Sequence, residues 1–332
     1  MSIIYSNAIL SVRAGKSLTP DRIRRMIIAP SAGAAAKILF ECGYDETILT
    51  NTPEREDLII GSETKKIFET LDELCPNPIL REILLLKFDY HNATAIYNNF
   101  IKNSDATVSE SLRIDGIYTH GLVGILKIAQ EITSGGYTKL PTPMFAALSK
   151  LGTYDAAPFD VEIELLRAYY ADIETRIKNL GSKVIEEYFK TEIDIANITN
   201  ASKSKIFGRS LNNPNAVHEI FIDGGIVNDV AISSITSGDI TRIRPSFAEF
   251  KISEIVPYLV RGIESRDMSA FETKANEYLV KIGKTDSDNI FSENVFFSWW
   301  VAKQAEIVTI KKIIVGKKLG LSKEELYEQL GI

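Results

Sequence analysis

A chain of 332 residues with 45% apolar and 25% charged residues has an ordinary globular composition, which excludes wholesale disorder and leaves room for two or three domains. The 38 basic and 44 acidic residues give a net charge of −6, and this mild acidity argues against a general nucleic-acid binder. Two cysteines and three histidines, with no ligand-spaced pair among the histidines, exclude a disulfide scaffold and a cysteine-rich zinc site.

The N-terminal segment is basic and is expected to start with a helix. Residues 1–30 carry five basic residues against one acid, Asp21, and they lack the apolar core of a secretory signal. No stretch of the chain reaches the roughly 18 apolar residues of a membrane span, so we expect a cytoplasmic protein. Arg22, Arg24 and Arg25 are candidates for a partner-facing patch. Solvated helix faces would account for the same charges.

Helical periodicity dominates the rest of the chain. One apolar stripe runs at three- and four-residue steps from Leu166 to Leu180, and Gly181 offers a helix end. A second stripe runs from Phe296 to Ile314, and the Ser322–Glu325 spacing is typical of a capping box that opens a last helix. Because regular alternation and hairpin turns are missing, the pattern predicts an all-α fold.

An acid followed three residues later by a small polar residue recurs in three helical segments. The pairs are Asp89 with Asn92, Asp194 with Asn197, and Glu306 with Thr309. This period of roughly 105–112 residues is too long for common helical arrays, whose units run about 33–47 residues. It predicts three domain-sized copies, with boundaries at 1–104, 105–209 and 210–332. Since a catalytic site would usually occur once, we interpret the pairs as structural hydrogen-bonding groups.

Two glycine motifs are the candidates for chemistry. Gly15-Lys16-Ser17 resembles the end of a phosphate-binding loop but lacks the required upstream glycine. Gly224-Gly225 could cradle an anion, although a turn between two helices is the simpler interpretation. The sequence therefore predicts no catalytic residue, no cofactor and no metal site.

The repeat segments also carry a family resemblance that covers nearly the whole chain. The chain resembles the C subunits of prokaryotic V-type (A-type) rotary ATPases, which are relatives of the d subunits of eukaryotic V-ATPases. The matching segments are Tyr5-Ser6-Asn7-Ala8, Phe88-Asp89-Tyr90-His91-Asn92, Leu165-Leu166-Arg167-Ala168-Tyr169-Tyr170, Glu192-Ile193-Asp194-Ile195-Ala196-Asn197-Ile198, and Ala305-Glu306-Ile307 through Gly316 to Ser322. The chain departs from the family at Leu166-Arg167, Asp223 and Thr309, where Leu-Asp, proline and asparagine are usual.

The resemblance implies three similar helical domains in a pseudo-threefold, funnel-like arrangement. It also implies a non-catalytic rotor component that links the central stalk to the membrane proteolipid ring and transmits torque for proton or sodium transport. Such a protein would attach peripherally to the membrane through the ring and would need no small-molecule ligand. A stand-alone helical scaffold and an enzyme acting on an anion at Gly224-Gly225 are the alternatives.

Overall fold

The computed structural model describes residues 2–207, 216–237 and 239–332, and within these ranges the chain forms helices and turns but no strand. This confirms the predicted all-α class. The helices of the first half are α1 (Ile3–Ala14), α2 (Pro20–Ile28), α3 (Ala32–Lys37), α4 (Glu46–Asn51), α5 (Glu56–Leu74), α6 (Pro78–Lys102), α7 (Val108–Ser111), α8 (Ile125–Ser134) and α9 (Thr142–Leu151).

The second half contains the helices α10 to α18. These are α10 (Pro158–Leu180), α11 (Lys183–Ile206), α12 (Ala216–Ile220), α13 (Asp229–Thr236), α14 (Ile243–Phe247), α15 (Val256–Ser265), α16 (Ser269–Gly283), α17 (Asn294–Lys318) and α18 (Lys323–Leu330). Short 3₁₀ helices lie at Ile38–Cys42, Ile240–Arg242 and Lys251–Ile255.

Two of the predicted helix ends can be checked atom by atom. Helix α10 ends at Leu180, and Gly181 takes a left-handed φ of 75°, a conformation that glycine adopts without strain. At the start of α18 the backbone N–H of Glu325 donates to Ser322 Oγ, and the N–H of Ser322 donates back to the Glu325 carboxylate. The predicted capping box is therefore confirmed.

The chain divides into two compact units. The middle unit comprises residues 77–183 and 218–225, and α6 packs along α10 within it. Tyr90 of α6 stacks edge-on against Tyr169 of α10 and donates a hydrogen bond to Asp172, which Arg176 also binds. Burial of such aromatic side chains contributes roughly 1.5–3 kcal/mol each and holds the two long helices together.

The second unit, called here the terminal unit, comprises residues 1–76, 184–217 and 226–332. Its core joins helices from both ends of the chain, since α2 and α3 pack with α17 and α18. The N-terminal helices supply buried Met26, Ala36 and Leu39 to this cluster, and α17 supplies Ile310 and Ile314. Helices from the first and the last tenth of the sequence thus share one hydrophobic core.

The three predicted domains, 1–104, 105–209 and 210–332, stay a prediction. The boundary near residue 209 and the polar segment at 209–214 lie outside the described residues.

Candidate functional site

The first recurring acid, Asp89, is fully buried on α6 and holds the backbone that precedes α8. Its carboxylate accepts hydrogen bonds from the N–H groups of Leu122 (2.7 Å), Val123 (3.0 Å) and Gly124 (3.3 Å). Gly124 is the N-cap of α8, so the carboxylate fixes the point where that helix begins. We call such an arrangement, an acid on one long helix that accepts backbone N–H groups just before another helix, a carboxylate clamp.

The polar residue three positions later completes this first clamp. Asn92 donates its side-chain amide to the carbonyl of Tyr118 and accepts from the Tyr118 N–H, each at 2.8 Å. Gly121 lies so close that a Cβ there would overlap the Asp89 carboxylate. Position 121 lies between Tyr118, which Asn92 binds, and the N–H groups that Asp89 binds. Only glycine fits there without a shift of the backbone.

The second recurring acid, Asp194 on α11, forms an equivalent clamp. Its Oδ1 accepts from the N–H groups of Ile226 (2.8 Å) and Val227 (2.9 Å), directly before Asn228, the N-cap of α13. The separation from acid to clamped residues is similar in the two copies, 33–35 residues at Asp89 and 32–33 residues at Asp194. These hydrogen bonds support the structural interpretation of the repeated acids.

The third acid, Glu306 on α17, clamps the other end of the chain. Its Oε2 accepts from the N–H of Leu18 at 2.8 Å, and Thr19 is the N-cap of α2. The backbone that this acid holds lies in the N-terminal region, 288 residues earlier in the chain. Lys317, about three turns further along α17, donates to the carbonyls of Ile27 and Ala29 and so binds the end of α2.

The surroundings of Glu306 differ from those of the other two acids because they are charged. Lys303 donates to Glu306 at 2.8 Å and to Glu63 of α5 at 3.0 Å, and the Tyr44 hydroxyl donates to Glu306 at 2.8 Å. Burial by itself would lower the pKa of Lys303, but the two carboxylates outweigh it and the net shift is upward. Lys303 is therefore a buried cation that depends on both acids.

At Asp89 and Asp194 burial has a larger effect on the pKa than the hydrogen-bond partners do. Burial raises the pKa of Asp194 to about 6, and the N–H groups of Val227 and Ile226 only partly oppose that shift. Burial also raises the pKa of Asp89 despite its three backbone donors. These two carboxylates accept their hydrogen bonds although burial disfavours their charged form.

The predicted partner-binding arginines lie on α2, the helix that Glu306 and Lys317 hold. Arg25 makes a two-pronged pair with Glu41 at 2.5 and 2.9 Å, and Arg22 reaches the same carboxylate at 3.4 Å. Arg22 also donates to the carbonyl of Ser17. Arg24 is exposed and, among the described residues, makes no ion pair. The structure therefore brings Arg22 and Arg25 together on Glu41 and leaves Arg24 facing solvent.

The other motifs show no catalytic arrangement. Gly15 ends helix α1, so Gly15-Lys16-Ser17 follows a helix rather than a strand, and Gly224-Gly225 lies in the turn between α12 and α13. A cavity of about 280 Å³ lies beside the Lys303 cluster and is lined by cations and carboxylates alike. Burial raises the pKa of its Cys42 thiol to about 11, so this sulfur is protonated and a poor nucleophile at neutral pH.

Two further kinds of site are missing from the described part of the chain. In residues 2–207, 216–237 and 239–332, no three or more histidine, cysteine or acidic side chains come together as metal ligands. No described helix combines the length and the apolar character that crossing a membrane requires.

Arg167 on α10 is a positioning residue that was not among the site residues predicted from the sequence. Its guanidinium donates to the carbonyls of His218 (2.6 Å) and Phe221 (2.9 and 3.1 Å) and pairs with Glu164. It thereby fixes the segment that leads to Gly224. The only sequence signal of this contact is a cation next to Leu166, at the start of the apolar stripe.

Comparison with known proteins gives two findings that cover almost the full length. The profile of the ATP synthase (C/AC39) subunit family matches residues 6–329. The chain is also similar to the C subunit of the V-type sodium ATPase from Enterococcus hirae, with 20% identity over 331 residues. That alignment covers 98% of this chain and 96% of the relative. The recurring acids, the clamped helices and the α2 arginines all lie inside the matched range.

Proposed function

Because this chain belongs to the ATP synthase (C/AC39) subunit family, we propose that it is a non-catalytic rotor component of a V-type (A-type) ATPase or ATP synthase. In this role it links the central stalk to the membrane proteolipid ring and transmits torque for proton or sodium transport. The observation that carries the proposal is the family match over residues 6–329, with the C subunit of a V-type sodium ATPase aligned along almost its whole length. The protein would sit on the cytoplasmic side, held to the membrane through the ring.

The three clamps support this role because a torque-bearing link must resist bending. Each clamp fixes the start of a shorter helix to a long one through buried or charge-assisted hydrogen bonds, a type of contact worth about 1.5–3 kcal/mol when an ion takes part. We propose that the three acids mark three helical repeats, 1–104, 105–209 and 210–332, in a pseudo-threefold arrangement. The similar spacing from acid to clamped residues in the first two copies, 33–35 and 32–33 residues, supports that proposal.

We further propose the outer side of α2 as a partner-facing patch. Arg22, Arg24 and Arg25 lie on it, and α2 is fastened at both ends to α17. A helix anchored in this way can pass a load to the core rather than bend under it. Arg24, exposed and without an ion pair among the described residues, is the most available cation for an acidic partner surface.

The test is recovery of the tagged chain from membranes of its own host in mild detergent, with the bound proteins identified by mass spectrometry. We expect head, stalk and proteolipid components of a rotary ATPase to co-purify. Recovery of the intact protein from the soluble fraction without these components would reject the rotor role and favour a stand-alone scaffold.

A charge-reversed variant tests the patch within the same experiment. Replacing Arg22, Arg24 and Arg25 by glutamate should weaken recovery of the complex while circular dichroism shows unchanged helicity. The matched control carries glutamate at three exposed lysines of other helices and segments, Lys65, Lys178 and Lys251, and so changes the net charge equally. Normal assembly of the arginine variant, or an equal loss in the control, would contradict the patch.

A further inference from the structure

A cavity of about 270 Å³ lies in the terminal unit, where helices from both ends of the chain meet. Residues of α2, α16, α17 and α18 line it, and most of its surface is apolar. The branched aliphatic residues on its walls are Leu18, Ile23, Val280, Val308, Leu330 and Ile332. Sites for small molecules measure about 300–1,000 Å³, so this cavity, called here the Lys312 cavity, has the size for a small ligand.

A half-buried cation lines the Lys312 cavity with only neutral partners. The ammonium of Lys312 on α17 donates to Thr273 Oγ1 at 2.8 Å and to the carbonyl of Ser269 at 3.4 Å. Within the described residues Lys312 makes no ion pair. Because an ammonium carries three N–H donors, one of them remains for a ligand.

The carboxylates that line the cavity do not neutralise this cation. Glu306 accepts from one backbone N–H, one hydroxyl group and one other ammonium, and Glu277 pairs with Lys274 at 2.7 Å. The main-chain carboxylate of Ile332 makes no ion pair in the described part of the chain. The cavity therefore leaves the charge of Lys312 without a counter-ion.

The pKa of Lys312 agrees with this lack of a counter-ion. Burial lowers the pKa, and the charges of Glu272 and Asp267, which do not line the cavity, only partly oppose that shift. The charged form of the lysine is disfavoured in these surroundings. An anion placed in the cavity would favour it.

A second polar group lies near the same end of the cavity. Asn276 follows Thr273 by one turn of α16 and lines the cavity, and its side-chain amide has no hydrogen-bond partner among the described residues. It can donate to the second oxygen of an anion that Lys312 binds. Lys284, another cation of the lining, lies about 16 Å from Thr273 along the axis of α16, too far for one small anionic group to bind both lysines.

We propose that the Lys312 cavity binds an aliphatic monocarboxylate. Its carboxylate accepts from Lys312 and Asn276, and its hydrocarbon chain lies against Val280, Val308 and Leu330. One negative charge matches the one half-buried cation, whereas a phosphate group carries about −1.5 to −2 at neutral pH and has no second cation within reach. The inference does not depend on the rotor role, because it rests on the geometry of the terminal unit alone.

The test is isothermal titration calorimetry of the full chain with octanoate, octanol, acetate and inorganic phosphate. We expect one octanoate to bind per chain. Octanol, which lacks the charge, and acetate, which lacks the chain, should each bind at least tenfold more weakly. Phosphate should bind at least tenfold more weakly than octanoate as well.

Two variants locate the octanoate in the cavity. Lys312→Gln should weaken octanoate binding at least tenfold while leaving octanol binding unchanged, and circular dichroism checks that this variant is folded. Asn276→Ala, which breaks no hydrogen bond of the described residues, should weaken octanoate binding about threefold or more. Lys65→Gln, at an exposed lysine of α5, is the matched control and should bind octanoate like the wild type.

Several results would overturn the proposal. These are the absence of octanoate binding to the folded wild type, equal affinities for octanoate and octanol, and phosphate binding as tight as that of octanoate. Wild-type affinity for octanoate in both Lys312→Gln and Asn276→Ala would also overturn it, because the ligand would then bind elsewhere. None of these results bears on the rotor role, which the recovery from membranes tests separately.

Discussion

The clamps at Asp89 and Glu306 each hold the backbone just before a helix, but in opposite electrostatic settings. Within the described residues, Asp89 accepts hydrogen bonds from neutral donors only. These are three backbone N–H groups that lie 33–35 residues later in the chain. Glu306 accepts hydrogen bonds from the backbone N–H of Leu18, from the buried ammonium of Lys303 and from the Tyr44 hydroxyl. The Asp89 clamp joins residues 33–35 positions apart, whereas the Glu306 clamp, called here the terminal clamp, joins residues 288 positions apart. Of these two acids, only Glu306 has a charged partner, Lys303, that offsets the cost of burial.

The largest expected effect comes from removing the acid of the terminal clamp. Glu306→Ala leaves Lys303 with Glu63 alone and leaves the Leu18 N–H and the Tyr44 hydroxyl without their acceptor. Breaking a buried ion pair in this way destabilises proteins by about 3–5 kcal/mol. Urea denaturation followed by circular dichroism should show a loss of that order in the free energy of unfolding.

Thr309→Val is the control on the same helix, because among the described residues the Thr309 hydroxyl bonds only the carbonyl of Ala305 within α17. It should change the unfolding free energy by less than about 1 kcal/mol. Equal losses in the two variants would mean that the charged cluster contributes nothing beyond helix packing.

The second prediction concerns pH and the Asp194 clamp. Burial raises the pKa of Asp194 from 3.8 to about 6 in the folded protein, so the folded state binds more protons than the unfolded state between these values. The stability contributed by this group is fully present below pH 3.8 and is lost as pH rises through 6. The fall could reach roughly 3 kcal/mol, since one pKa unit corresponds to about 1.4 kcal/mol.

The measurement is the unfolding free energy of the wild type and of Asp194→Asn across pH 4–7. The variant cannot titrate at this position, so its curve should lack the decline that Asp194 contributes, while the decline from Asp89 stays in both. Parallel curves for the two proteins would show that Asp194 titrates normally in the folded state.

The two aspartates should also differ when each is replaced by its amide. Asp89 uses both oxygens, Oδ2 for Leu122 and Val123 and Oδ1 for Gly124, so an asparagine must turn an NH₂ group toward a backbone donor. Asp194 receives both N–H groups on one oxygen, which asparagine can keep. We expect a loss of about 1–3 kcal/mol for Asp89→Asn and less than about 1 kcal/mol for Asp194→Asn at pH 7. Thermal and urea unfolding of both variants would measure this difference, and a larger loss at Asp194 would contradict it.

These clamps also show how far the sequence could predict the structure. The recurrence of acid and polar residue marked Asp89, Asp194 and Glu306 as structural, and helical periodicity was enough for an all-α fold. The recurring pattern could not predict that Glu306 binds the N–H of Leu18, because Leu18 lies 288 residues away and precedes every repeat segment. Thr309, where the first two copies have asparagine, indicated that the third copy differs from them. It did not indicate that Lys303 would bind Glu306 and Glu63.

Surface contacts were less predictable than the core. The basic run on α2 was visible in the sequence, but nothing in its order indicated that Glu41 would occupy Arg22 and Arg25 and leave Arg24 open. The exposed side of α1, which carries Tyr5 and Val12, was hidden for a related reason. Its residues are as apolar as core residues, and only the packing of Ser6, Asn7 and Leu10 shows which face points inward.

The smallest expected effect on stability lies on α2, the helix that the terminal clamp holds. Arg25→Glu places a negative charge against Glu41 and removes an exposed pair, which should lower the thermal midpoint of unfolding slightly. Arg24→Glu breaks no ion pair of the described residues and should stay within about 0.5 kcal/mol of the wild type. If α2 faces an acidic partner, however, Arg24→Glu should weaken recovery of the complex at least as much as Arg25→Glu, because its charge is not already neutralised by Glu41. Thermal unfolding and quantitative pull-down of the two single variants would separate these quantities. A stability loss at Arg24 equal to that at Arg25, with no loss of recovery, would place Arg24 in an internal contact rather than on a binding surface.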